Sequence, residues 1–229
     1  MQNQLPLSLQ MAEIDSFDNF IVGENQQAIF SLQNDDEALI FLWGEHSSGK
    51  SHLLQALVNQ YQAKGLNAIY IPLQLGNGFA PELLEGLDVM DLVCLDDTQS
   101  IAGHREWEVA LFHFFNKIRE NNGRLILAAD KNAVNLSIQL ADIKSRLSWG
   151  LTYQTKTLSD KDKIQVLMLR AHQRGFKMNE RVAAYLLNHA GRDLSDLIQL
   201  LDRLDYASLA EQRKLTVPFI KKYLTITAN

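Results

Sequence analysis

The stretch Gly44-Glu45-His46-Ser47-Ser48-Gly49-Lys50-Ser51 fits the pattern G-x-x-x-x-G-K-[ST], and what flanks it decides the fold. The apolar run Ala38-Leu39-Ile40-Phe41-Leu42-Trp43 precedes it, and a helical pattern follows to about residue 64. A strand that ends in a glycine-rich turn and opens a helix is the setting that a phosphate-binding loop needs. Gly44 and Gly49 let the backbone turn its N–H groups toward a phosphate, and the helix beginning near Lys50 adds its positive end. Lys50 reaches the terminal phosphates, and the Ser51 hydroxyl can hold Mg²⁺. His46, Ser47, Ser48 and His52 lie in or beside the loop and complete the candidate nucleotide contacts.

Working outward, short apolar runs alternate with amphipathic ones. Residues 38–44, 67–73, 91–97, 124–130 and 150–156 read as five buried strands. Helical patterns fill the gaps at about 24–33, 50–64, 80–86, 105–121 and 137–147. This alternation predicts an α/β fold, a P-loop parallel sheet of five strands with helices on both faces. From Leu158 the pattern changes to helices alone. Ser159 reads as an N-cap, Gly175 and Gly191 read as stops, and Pro218 sits near the first turn of a short last helix. The expected organisation is a leader over 1–16, an α/β nucleotide-binding domain over 17–157 and a small all-helical lid domain over 158–229.

A phosphate loop needs an acid to complete its metal site. The run Leu92-Val93-Cys94-Leu95-Asp96-Asp97 supplies two at the end of a predicted buried strand, where ligands of open α/β sheets bind. Asp96 would support Mg²⁺ and Asp97 would sit near an attacking water. Asp130 ends the next predicted strand and could touch the γ-phosphate or that water. The six histidines show no metal-ligand spacing.

The totals exclude several classes. The formal net charge is −5, which argues against a chain that binds DNA by itself. No apolar run approaches the length of about 20 residues that a bilayer requires, and the start lacks a signal-peptide pattern. The single cysteine, Cys94, cannot form an internal disulfide and reads as a core thiol. A cytoplasmic location is expected.

Segments 17–28, 44–56, 94–103, 125–130 and 143–150 stand in the order seen in DnaA-type AAA+ ATPases, and the chain resembles that family from about residue 17 to its end. A DnaA-like module with a short leader and no DNA-reading domain is similar to the Hda family, regulatory inactivators of DnaA. The resemblance implies a fold, a bound ADP or other nucleotide di- or triphosphate with Mg²⁺, and two protein partners. One partner is DnaA. The other is the DNA polymerase sliding clamp, so contact with DNA would be mainly indirect, at DNA-loaded clamps, and a homo-oligomer stays open.

The resemblance also assigns residues. Gln4, Leu5, Leu7 and Leu9 match the family's clamp-binding leader, apolar anchors on a peptide that fit a preformed groove. Arg146 matches a trans arginine finger that would stabilise charge on the γ-phosphate held by DnaA. Read from bare sequence, Arg146 is a cation at a helix end. Arg192 matches a lid arginine that reaches nucleotide, and Ile21 and Val22 match the segment beside the base. The usual catalytic glutamate of AAA+ proteins is Asp97 here, so little hydrolysis by this chain itself is expected. The alternatives are a self-sufficient ATPase such as a helicase loader, and a direct DNA binder.

Overall fold

The computed structural model describes residues 14–34, 37–73, 80–211 and 213–227. The chain divides into two compact units, Ile14–Thr157 and the helical remainder from Leu158. The first unit holds five strands: β1 Leu39–Trp43, β2 Ala68–Pro72, β3 Leu92–Asp96, β4 Arg124–Ala129 and β5 Leu151–Gln154. All neighbours pair in parallel, in the order β2-β3-β4-β1-β5.

Strand residues alternate between two cores because successive side chains leave opposite faces of the sheet. Ile40, Leu42, Leu92, Cys94, Ile126 and Ala128 pack on one face against α1 (Gln26–Gln33) and α2 (Lys50–Ala63). Leu39, Phe41, Val93, Leu95, Leu125 and Leu127 pack on the other against α3 (Arg105–Glu120) and α4 (Ala141–Trp149). Burial on both faces explains why β3 and β4 read as continuous apolar runs rather than alternating ones. Cys94 is fully buried in β3. No helix among the described residues is long and apolar enough to cross a membrane.

Three sequence expectations need correction. Leu151–Gln154 is a mostly exposed edge strand rather than a buried one, because only β1 flanks it. Residues 80–86 are not an α-helix. They form short 3₁₀ turns, Pro81–Leu84 and Leu87–Val89, broken at Gly86, whose φ is 76°. The helix expected from 137 begins at Ala141.

The second unit contains α5 Asp160–Gln173, α6 Glu180–His189, α7 Leu194–Ala210 and α8 Val217–Thr227. The first three carry side-chain N-caps. Ser159 Oγ accepts from the Asp162 N–H, Asn179 from Val182, and Asp193 from Ser195 and Asp196, satisfying N–H groups that a helix start leaves open. Leu167, Ala183, Leu186, Leu197, Leu201 and Ile220 form its core.

Candidate functional site

The carboxyl ends of β1, β3 and β4 carry the loop and the acids to one edge of the sheet. Gly44 follows β1, and its N–H donates to the Ala129 carbonyl. A Cβ on Gly44 would lie 2.3 Å from Thr155 Oγ1 and 2.4 Å from the Thr155 carbonyl oxygen. The glycine is therefore required by the close passage of β5. Ser48 Oγ, buried, bonds Thr155 Oγ1 at 2.7 Å and ties the loop to that same residue. Ser47 and Gly49 adopt positive φ, 58° and 91°, and the ring of Phe20 covers Gly49. His46 Nδ1 lies 3.0 Å from Ser47 Oγ.

Lys50 Nζ donates to the carbonyls of Gly44 and Glu45 at 2.8 and 2.9 Å, closing the loop on itself. Burial pushes its pKa below the ordinary lysine value, and the charges of Asp96, Asp97 and Asp130 oppose that shift. Those acids thus share the neighbourhood of Lys50, as the sequence suggested.

Asp96 ends β3 and is buried. Its Oδ1 accepts the Asp97 N–H, and its Oδ2 accepts the Tyr70 hydroxyl, both at 2.9 Å. Ser51 is also within hydrogen-bonding reach of the Tyr70 hydroxyl. Asp97 adopts a left-handed φ of 55°. Gln99 joins the two outer acids: its Nε2 donates to Asp97 Oδ1, and its Oε1 accepts the Asp130 N–H. Among the described residues, no group of three or more His, Cys, Asp and Glu converges as a metal site. The Ser51 hydroxyl and the Asp96 carboxylate are oxygen donors that suit Mg²⁺ completed by nucleotide oxygens and water.

The other predicted residues fall in different places. His52 faces the segment ahead of α1: its Nδ1 lies 3.0 Å from Asp15 Oδ1, and its Nε2 lies 2.9 Å from the Ser16 carbonyl oxygen. Asn59 Nδ2 donates to the Asp15 carbonyl, so α2 grips this segment twice. Ile21 is half-buried and Val22 exposed, so neither is core. Arg192 belongs to the helical unit, where it is exposed, and its Nη2 lies 3.7 Å from Asp160 Oδ2. Gln4, Leu5, Leu7 and Leu9 lie outside the described residues.

Arg146, on α4, is half-buried. Its Nη1 donates to Asn116 Oδ1 at 2.5 Å, and its guanidinium lies over the rings of Phe112 and Phe115. The α4 start is held by Glu108, a buried carboxylate of α3. It accepts the N–H groups of Gln139 and Leu140 and also that of Gly103, in the loop after Asp97. Sequence reasoning missed Tyr70, Gln99, Glu108 and Asn116. No local signal marks them, because their partners are mostly distant in the chain.

Comparisons with known proteins agree with this architecture. A family model described as the bacterial DnaA ATPase domain matches residues 11–154. One described as the lid domain of Hda matches residues 160–224. An uncharacterized protein of Haemophilus influenzae is 42% identical over 231 residues, covering 99% of this chain and all of that one. Domain III of the Thermotoga maritima replication initiation protein DnaA superposes with a TM-score of 0.77 at 20% identity, over 89% of this chain and 92% of that one. AMPPCP-bound DnaA from Aquifex aeolicus gives 0.69 at 24% identity, over 83% and 64%. At these identities the two structures speak to fold alone.

Proposed function

The chain belongs to the bacterial DnaA ATPase-domain family and carries an Hda-type lid, and on that premise we propose that it is a nucleotide-loaded regulator that switches DnaA off. As an Hda-like, DnaA-related AAA+ protein it has a complete phosphate loop and acid set. In this reading the loop N–H groups and Lys50 hold ADP, with Ser51 and Asp96 on Mg²⁺. Gln4, Leu5, Leu7 and Leu9 grip the sliding clamp on DNA. Arg146 is offered to the ATP site of DnaA, where a finger accelerates hydrolysis by three to five orders of magnitude in related systems, roughly 10³–10⁵.

The observation that carries the reading is the way Arg146 is held. Asn116 is the one hydrogen-bond acceptor it finds among the described residues. A guanidinium has five N–H donors, so most of its bonding capacity remains for a partner.

The test is ATP hydrolysis by DnaA on DNA-loaded clamp, with and without this protein. Acceleration is expected. Arg146→Ala and the pair Leu7→Ala with Leu9→Ala should each abolish it. Hydrolysis that follows this protein's own ATP and ignores the clamp would instead make it a self-sufficient ATPase.

A further inference from the structure

Tyr70 bonds one of the two candidate metal ligands, Asp96, and Ser51, the other, lies close to the same hydroxyl. It sits on β2 opposite Cys94 of β3, two positions before Asp96. Its hydroxyl donates to Asp96 Oδ2 at 2.9 Å. With Oδ1 taken by the Asp97 N–H, each carboxylate oxygen of Asp96 has a donor. Rotation of this buried carboxylate would break at least one of these bonds, and an unpaired buried carboxylate is costly.

We propose that Tyr70 is a positioning residue for the metal end of the nucleotide site. Its hydroxyl, bonded to Asp96, fixes the orientation in which the carboxylate meets the divalent cation accompanying a nucleotide. The proposal rests on the nucleotide-binding reading above. A phenol suits the task. It has a rigid body with few torsions, so little freedom is lost in holding its tip in place. A phenol is a neutral donor near pH 7, so it does not compete with Asp96 as a second anion.

The test is calorimetric titration of ADP with excess Mg²⁺ and again with EDTA. The wild type, Tyr70→Phe, Ser51→Ala and the double variant are compared. Wild-type protein should bind ADP more tightly with Mg²⁺. Tyr70→Phe should lose about tenfold of that Mg²⁺-dependent gain, the scale of one hydrogen bond to a charged group. Its affinity in EDTA should stay within about twofold. The losses from Tyr70→Phe and Ser51→Ala should be less than additive, because both weaken the hold on the same cation. An unchanged Mg²⁺ gain in Tyr70→Phe, equal weakening in both conditions, or full additivity overturns the proposal. Wild-type protein that binds no ADP in either condition would sink the nucleotide reading itself, an outcome separate from any that Tyr70→Phe can produce. Thermal unfolding without nucleotide checks that the variants are folded.

Discussion

The Arg146 guanidinium carbon lies 4.3 Å from the centroid of the Phe112 ring, so this cation rests against its own chain's aromatic surface. With Phe115 at 4.7 Å and Asn116 as acceptor, three residues of α3 set where the α4 arginine points. Cation–π contacts of this kind contribute about 0.5–2 kcal/mol each.

The first prediction follows from that support. Asn116→Ala should lower the stimulation of DnaA hydrolysis by about tenfold or more, the scale of one hydrogen bond to a charged group. Its own ADP affinity should stay unchanged. Arg146→Lys should behave nearly like Arg146→Ala, because an ammonium lacks the planar fork that stacks and bonds at once. Hydrolysis assays on clamp-loaded DNA read both. Full activity in Arg146→Lys would show that charge alone is enough.

A second prediction concerns two glycines. At Gly44 a methyl group would meet the Thr155 backbone oxygen at 2.4 Å, and backbone cannot step aside cheaply. Gly44→Ala should therefore cost about 2–3 kcal/mol or more. Gly175 has a φ of +80° but nothing within 4 Å of an added Cβ. Gly175→Ala should cost only the strain of the left-handed conformation, about 1–2 kcal/mol. Urea unfolding distinguishes them. Equal losses would mean that the approach of β5 to the loop is looser than described.

Lys50 supports a third, with a definite sign. Its folded pKa lies below 10.5, chiefly through burial. The folded protein therefore binds fewer protons than the unfolded chain between that lowered value and 10.5. The cost of burying the cation is fully present at lower pH and is relieved as pH rises through this window. Lys50→Met lacks the titration, so the stability of wild type relative to Lys50→Met should rise as the pH climbs toward 10.5. Denaturant unfolding of both proteins across that range is the measurement, and parallel curves would contradict the assignment.

The parts legible in the sequence are those written locally. The loop motif, the positions of the five strands and the Ser159 cap are written in neighbouring residues, and the structure has them there; that β5 is an exposed edge and that Gly44 packs on Thr155 depend on distant pairing. The 3₁₀ turns at 81–89 were missed because Leu83 and Leu84 mimic a helix face over too short a span, with Gly86 cutting it. The start of α4 was misplaced because the N–H groups of Gln139 and Leu140, just ahead of it, are claimed by Glu108, 31 and 32 residues away. Arg124 reads as a cation opening a strand. It is buried, and its guanidinium donates to the carbonyls of Ser31, Leu32, Asn34 and Glu37, which close α1 and lead into β1. Tyr70 and Asn116 were invisible for the same reason, since their partners are 26 and 30 residues away.

Glu108 carries one more consequence. Its carboxylate holds Gly103, just beyond the acid pair, together with Gln139 and Leu140, where the arginine-bearing helix begins. The two segments share one pivot outside the sheet. The loop behind Asp97 and the base of α4 are tethered through one carboxylate, so removing it would release both at once.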